Sequence, residues 1–244
     1  MPQNTVFVTD LTRKFGDFIA VNKINFSVNE GEIFGFLGAN GAGKTTTIRM
    51  LIGLLKPSSG TAFVNGYNVL NEANKIKASI GYMSQKFSLY TDLTVKENIE
   101  FYGGIYGLKR KEIKNKIEDL LNYLNIHEYK NKLVKELSLG WKQKLALCVA
   151  IIHDPKIIFL DEPTSGVDPI SRRDFWQLIY ELSAKGKTIF VTTHNMDESE
   201  YCHRVSIMKD GNIIALDAPQ ILKNKFAAKT MQDLFIKLTL DKTS

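Results

Sequence analysis

Apolar and polar positions along this chain follow two rhythms. Val6–Thr9, Ile24–Val28 and Thr61–Asn65 are rich in β-branched and aromatic residues, and the pairs Glu30-Gly31 and Asn65-Gly66 bound them. That composition between turn pairs predicts strands. Ile33–Leu37 is a short apolar run ending in a glycine-rich turn, which predicts a buried strand. From Thr45 to Leu55 the period changes, with Ile48, Leu51, Ile52 and Leu55 on one helical face, and Pro57-Ser58-Ser59-Gly60 stops the run. The order is strand, glycine loop, helix.

The middle, roughly Tyr90–Leu139, is helical by pattern. Thr94 caps a predicted helix over Val95–Tyr106, with Glu97 at capping-box spacing. Lys111–Leu124 sets Ile113, Ile117, Leu120, Leu121 and Leu124 beneath a charged face. Alternation follows: helix Lys142–Ile152, strand Ile157–Leu160, helix Arg172–Ala184, strand Thr188–Thr192. Asp168-Pro169 suits entry to the second of these helices, because proline costs little in a first turn. Lys209-Asp210-Gly211-Asn212 joins Val205–Met208 to Ile213–Leu216 as a hairpin. Strands alternating with helices predict an α/β fold with a mainly parallel sheet. The opening strands and the helical middle read as additions to that core. No repeat, low-complexity tract or Pro/Gly/Ser-rich linker divides the chain.

Composition narrows the class. The 244 residues, 44% hydrophobic and 24% charged, match an ordinary globular protein. No stretch nears the ~20 apolar residues that cross a bilayer, and Met1-Pro2-Gln3-Asn4-Thr5 lacks the pattern of a secretion signal. Any membrane part is therefore expected on another chain. The +6 charge comes from 32 basic and 26 acidic residues, much of it at Lys109–Lys116 and Lys130–Lys144. It reads as solvated helix face, and without aromatics between the cations of Lys109–Lys116 no nucleic-acid groove is expected. Cys148 and Cys202 lack zinc-site spacing and read as reduced packing residues.

Gly38-Ala39-Asn40-Gly41-Ala42-Gly43-Lys44-Thr45, with Thr46 after it, fits the phosphate-loop pattern. Glycines let backbone N–H groups turn inward around phosphate oxygens, and the following helix points its positive end at them. Lys44 is expected to reach the β- and γ-phosphates and the Thr45 hydroxyl to ligate Mg²⁺. The spacing does not fit Gly-x-Gly-x-x-Gly, which disfavours a dinucleotide fold. Ile157–Leu160 runs into Asp161 and Glu162, and a buried strand should not finish on paired acids without a counter-charge. Asp161 is expected to hold Mg²⁺ through water, and Glu162 to orient and deprotonate the attacking water. His194, after Thr192-Thr193, is a candidate γ-phosphate contact at the carboxyl edge of the sheet. Gln85 is a candidate ligand of Mg²⁺ or water. A GTPase should show Asn-Lys-x-Asp, and both Asn115-Lys116-Ile117-Glu118 and Asn131-Lys132-Leu133-Val134 lack the aspartate.

Together these motifs resemble the ATP-binding subunit of ABC transporters, over about Val6 to Pro219. Gly81-Tyr82-Met83-Ser84-Gln85 looks like the Q-loop, and Leu137-Ser138-Leu139-Gly140-Trp141-Lys142-Gln143 stands in the place of the LSGGQ signature. Ile157–Glu162 looks like Walker B with its catalytic glutamate, Ser165-Gly166-Val167-Asp168 like the D-loop and His194 like the switch histidine. Phe15 stands where the family places an aromatic on adenine. Leu139 replaces a signature glycine and Trp141 the glutamine, while Ser138 and Gly140 keep the donors aimed at the γ-phosphate.

The resemblance implies a P-loop NTPase (RecA-like) core, an N-terminal antiparallel β-subdomain and a helical subdomain inserted at about 86–140. It places the ATPase domain at 1–225 and a helical tail at 226–244. The cofactors implied are ATP and Mg²⁺. The partners are separate transmembrane permease subunits and a second cassette, identical or paired, facing this one head to tail at the cytoplasmic face of the membrane. In that pair Ser138, Gly140 and Asp168 act on the partner's ATP. Gly-Trp-Lys-Gln followed by Thr-Ser-Gly-Val-Asp-Pro is similar to ATPases of ABC-2-type exporters, and Met231–Leu238 resembles either their closing helix or a generic amphipathic one. A soluble ABC ATPase and a weakly hydrolytic ATP-dependent switch remain the alternatives.

Overall fold

The computed structural model describes residues 4–240, so Met1–Gln3 of the opening stretch and 241–244 of the expected tail lie outside the described residues. The chain opens with a hairpin of β1 (Asn4–Phe15) and β2 (Phe18–Asn29). It then buries β3 (Ile33–Leu37) and passes through the glycine loop into α1 (Lys44–Leu51). β4 (Ser59–Val64) and β5 (Tyr67–Asn68) return to the first hairpin, and α2 (Ala73–Ser79) leads to β6 (Ile80–Met83). Two helices follow, α3 (Val95–Ile105) and α4 (Arg110–Tyr123), then α5 (Leu139–Ile151) and β7 (Ile157–Asp161). The rest is α6 (Pro169–Ala184), β8 (Thr188–Thr193), α7 (Met196–Ser199), the hairpin β9 (Arg204–Lys209) and β10 (Asn212–Asp217), α8 (Pro219–Lys225) and α9 (Met231–Leu240).

Two sheets result. One is antiparallel, in the order β2-β1-β4-β5; the other runs β10-β9-β3-β8-β7-β6 and is parallel except for β10. In the second sheet side chains alternate between two cores. Ile33, Leu37, Ile158, Leu160, Ile189 and Val191 face the helices, whereas Phe34, Phe36, Ile157, Phe159 and Phe190 face α1 and the antiparallel sheet. Burial on both faces is why these strands read as unbroken apolar runs. Phe26 from β2 joins Phe34, Phe36 and Phe190, with centroids 5.5–6.1 Å from its own, and Phe159 adds a fifth ring at 5.2 Å from Phe190. This aromatic layer glues the two sheets together.

Several boundaries move for physical reasons. α1 stops at Leu51 instead of Leu55, because the chain doubles back and the N–H groups of Leu54 and Leu55 both donate to the Arg49 carbonyl. α5 starts at Leu139, three residues before the predicted Lys142, whereas α6 opens with Asp168 as its cap and Pro169 in its first turn, the expected entry. The Thr94–Glu97 capping box forms at the start of α3 as predicted. α2, β6, α7 and α8 carry no clear sequence period; Ile80–Met83, broken by Gly81, is a strand only because β7 lies beside it. Cys148 and Cys202 are both buried free thiols, and burial raises their pKa.

The aromatic layer yields a direct test. Phe190→Ala removes the ring that touches four others, and urea unfolding should show a loss of about 3–5 kcal/mol. The midpoint should fall while the slope stays unchanged.

Candidate functional site

The phosphate loop begins where β3 ends, and its shape depends on close backbone approaches. A Cβ on Gly38 would lie 2.5 Å from the Met208 carbonyl oxygen. Gly43 has φ +108°, and a Cβ there would lie 2.6 Å from the Ala20 carbonyl. Neither position accepts a side chain. The loop is pinned further by Gly211 N–H, which donates to the Ala42 carbonyl at 3.0 Å. Thr47 N–H donates back to Gly43 at 2.9 Å, but among the described residues Lys44, Thr45 and Thr46 find no backbone carbonyl for theirs. With no acid in its first turn, α1 thus presents free donors and a positive end, which is what a phosphate requires.

Lys44 is only 4% exposed. Its ammonium donates to the carbonyls of Gly38 (2.7 Å) and Ala39 (3.1 Å) and lies 3.7 Å from Glu162 Oε1. Burial lowers its pKa; the charges of Glu162 and Asp161 oppose that shift.

β7 delivers the two acids. Asp161 is its last residue, and Glu162 follows with a left-handed φ of +49° that separates the directions of the two side chains. Thr192 at the end of β8 serves both. Its hydroxyl donates to Asp161 Oδ1 at 2.7 Å and accepts the Glu162 N–H at 2.9 Å. Burial raises the Asp161 pKa, with the Glu162 charge adding to it; the Thr192 hydroxyl, Lys44 and the Thr45 hydroxyl pull the other way. On Glu162, Oε2 accepts from Gln85 Nε2 at 3.0 Å and from His194 Nδ1 at 2.9 Å. Lys44, Gln85, Asp161, Glu162 and His194 therefore meet in one place, although 150 residues separate the first from the last.

Two buried carboxylates face one ammonium here, which leaves an excess negative charge that a divalent cation would balance. The nearby donors are oxygens, namely the Thr45 hydroxyl, the Asp161 carboxylate and the Gln85 amide, and this set suits a hard cation such as Mg²⁺. The residues present fit both groups expected at the site.

The remaining predicted residues lie around this centre. Phe15 sits at the turn of the β1–β2 hairpin, 47% exposed, with the Arg13 guanidinium 4.5 Å from its ring centroid. Further along that hairpin, Ala20 packs on the loop at Gly43. Ser138 is the exposed N-cap of α5, yet its hydroxyl makes no capping bond. A Cβ on Gly140 would lie 2.8 Å from Ser171 Oγ, so glycine lets the starts of α5 and α6 approach. Asp168 caps α6 by accepting from the N–H groups of Ile170 and Ser171, both at 3.0 Å; the Ser171 side chain first, and then these N–H groups, hold its carboxyl below the usual range. Among the described residues no hydrogen bond or ion pair links Ser138 or Gly140 to Lys44 or Glu162. Leu139 is 40% exposed and lies 3.5 Å from where a Cβ on Gly166 would be. Trp141 packs at a tilt of 38° against Tyr129, with centroids 4.5 Å apart.

Sequence reasoning passed over three polar contacts. Gln143 in α5 donates to the carbonyl of Pro163, directly after Glu162, and Thr164, Arg172 and Glu198 form a second group beside it. The available signal was a glutamine inside the apolar run of α5.

A phosphate loop between β3 and α1, facing two acids at the end of the parallel strand β7, defines a P-loop nucleotide-binding protein. The family model described as ABC transporter matches residues 21–165. The chain is 46% identical over 246 residues to the probable multidrug ABC transporter ATP-binding protein YbhF of Escherichia coli (strain K12), an alignment covering 98% of this chain and 43% of that protein. It is 38% identical over 223 residues to the Nod factor export ATP-binding protein I of Burkholderia lata, covering 91% of this chain and 73% of the relative. A solved ATP-binding subunit of an ABC transporter superposes with a TM-score of 0.86 at 28% identity, over 96% of this chain and 99% of that one. The chain belongs to the ABC transporter family, and the two relatives above are named as ATP-binding proteins. It spans 43% of the length of the first relatives it matches.

The raised Asp161 pKa has a sign that stability measurements reveal. Its folded-state pKa lies above the unfolded value, so its contribution is favourable at low pH and is lost as pH rises through the folded pKa. Asp161→Asn should therefore raise the Tm of the nucleotide-free chain at pH 7. The gap from wild type should close as the pH falls toward the ordinary carboxylate range, as scanning calorimetry across pH would show.

Proposed function

We propose that this chain binds Mg-ATP and hydrolyses it as the motor subunit of an exporter of the ABC-2 type, driving membrane-spanning subunits carried on other polypeptides. The observation that carries the reading is Glu162, whose carboxylate has Lys44 on one oxygen and both Gln85 and His194 on the other. Lys44 and the N–H groups from Gly38 to Thr46 cradle the phosphates. Thr45, Asp161 and Gln85 hold the metal, which when bound neutralises charge developing on the phosphate oxygens. Glu162 takes the proton of the attacking water, and His194, half exposed beside it, orients the γ-phosphate. Phe15 stacks on the base.

The signature face needs a second cassette. Among the described residues the Ser138 hydroxyl makes no capping bond, and Gly140 and Asp168 stand at the starts of α5 and α6. This supports a head-to-tail pair in which each chain completes the other's ATP site. The names of the two relatives, one a multidrug transporter protein and one an export protein, support the exporter direction. Among the described residues no helix is long and apolar enough to cross a membrane. In this reading the chain docks at the cytoplasmic face, with residues 1–225 as the ATPase domain, about 86–140 as its helical insertion and 226–244 as a tail. A weakly hydrolytic switch is the second reading. It is favoured by Leu139, which puts a branched side chain over Gly166 where the family pattern has glycine.

Glu162→Gln should retain ATP affinity within about threefold while turnover falls by roughly 10²–10⁴-fold, the usual size of a general-base effect. Undiminished phosphate release would remove Glu162 from this role. Lys44→Ala should abolish ATP binding, and an unchanged titration would contradict the loop assignment.

A further inference from the structure

A buried carboxylate beside the site takes no part in the steps above. Glu198, 2% exposed, lies in α7, four residues past His194. Its Oε1 accepts from Thr164 Oγ1 at 2.6 Å and pairs with Arg172 Nε at 3.3 Å. Its Oε2 accepts from Thr193 Oγ1 at 2.8 Å. Each partner belongs to a different segment of the site. Thr164 is two residues after Glu162, Thr193 directly precedes His194, and Arg172 stands in the first turn of α6, the helix that Asp168 caps.

Folding alone does not call for a charge there. A buried carboxylate is costly to desolvate, and an apolar group of matching volume commonly holds neighbouring segments as well or better. Nor does α7 need Glu198 to start, because the Asn195 side chain caps it by accepting from Asp197 N–H. What a carboxylate adds is direction, since each hydrogen bond fixes a distance and an angle where an apolar contact does not. The segments so fixed surround a cavity of about 50 Å³ lined by Glu162, Gly166, Arg172, His194 and Glu198.

We infer that Glu198 is a positioning residue for hydrolysis, joining the segments that carry Glu162, His194 and Asp168 into one unit. The inference rests on the ATPase reading above. Its two oxygens set the spacing of Glu162 and His194, and through Arg172 they connect both to α6, whose N-terminus lies beside the signature face. A shift of α6 against a second cassette is then transmitted to Glu162 inside the same chain.

The test uses the full chain and two substitutions, Glu198→Gln, which keeps the shape and removes the charge, and Arg172→Gln at the more exposed end of the ion pair. Hydrogen–deuterium exchange should rise in 162–168 and in 193–199 together in Glu198→Gln, with Tm little changed. Turnover should fall about tenfold or more while the ATP dissociation constant stays within about twofold, the split expected of misplaced groups rather than lost binding. The double variant should be no slower than Glu198→Gln alone, because both act through one unit. Unaltered exchange in either segment, turnover within about twofold of wild type, or independent multiplying effects of the two changes would each overturn the inference. If Glu198→Gln proves unstable, Arg172→Gln carries the same exchange test. A wild-type chain that binds no ATP and releases no phosphate would instead overturn the ATPase reading, and the exchange result would still show whether Glu198 joins the segments.

Discussion

Two carboxylates and one ammonium share the edge of a sheet that is buried on both faces, and the surrounding architecture follows from keeping that uneven set of charges together. Lys44 sits in the first turn of α1 with its ammonium folded onto the carbonyls of its own loop, while Asp161 and Glu162 arrive on β7 from the other half of the chain. Water is largely excluded, so each charge must find its partner in protein or ligand. Thr192 on the intervening strand β8 helps locally, since one hydroxyl donates to the Asp161 carboxylate and accepts the main-chain N–H of Glu162. Net negative charge remains, and it is this residue of uncompensated charge that makes the site a natural receiver of a metal–phosphate complex. Burial penalises the charged form of each group, lowering the pKa of Lys44 and raising that of Asp161, while their mutual attraction opposes both shifts.

Much of this was readable in the residues, and the reason differs from element to element. β3, β7 and β8 were plain because both their faces are apolar, so they appear as unbroken hydrophobic runs of strand length. The Thr94–Glu97 box was plain because capping is a local matter settled within four residues. The phosphate loop was plain because only glycine tolerates the approach of Met208 and Ala20, and that steric demand leaves a spelling in the sequence. By contrast β6 gave no periodic signal, since its strand character comes from a neighbour more than seventy residues away. The start of α5 was hidden by Gly140 and Trp141, whose presence answers to packing against Ser171 and Tyr129 rather than to helix propensity. Glu198 was invisible for the same reason, because a carboxylate four residues past a histidine looks like any solvated helix residue until Thr164 and Arg172 are brought to it.

The signature region shows how a departure from a family pattern can be absorbed locally. Trp141 fills the space beside Tyr129, Lys144 lies 4.6 Å from its ring centroid, and Lys132 lies 4.8 Å from the ring of Tyr129. The start of α5 is thereby braced against the end of the helical segment before it, and Gln143 one turn later reaches the carbonyl of Pro163. An aromatic brace on one side and an amide on the other leave the exposed Ser138 on a short, well-anchored projection. Leu139 is accommodated by leaning over Gly166, a position where the absence of a side chain provides the room.

The clamps on the phosphate loop come from far along the chain. Met208 and Gly211 press and bond against Gly38, Ala42 and Gly43, and Asn22 N–H donates to Gly211, so the β9–β10 turn closes the loop from above. On a ribosome that makes the chain from its N-terminus, residues 38–45 appear early, but their supports appear some 170 residues later, at only 5–20 residues per second. Throughout that interval the β3–α1 segment exists without the backbone contacts that shape it. The shape of the loop, and with it the geometry that a phosphate would meet, is therefore one of the last things a growing chain acquires.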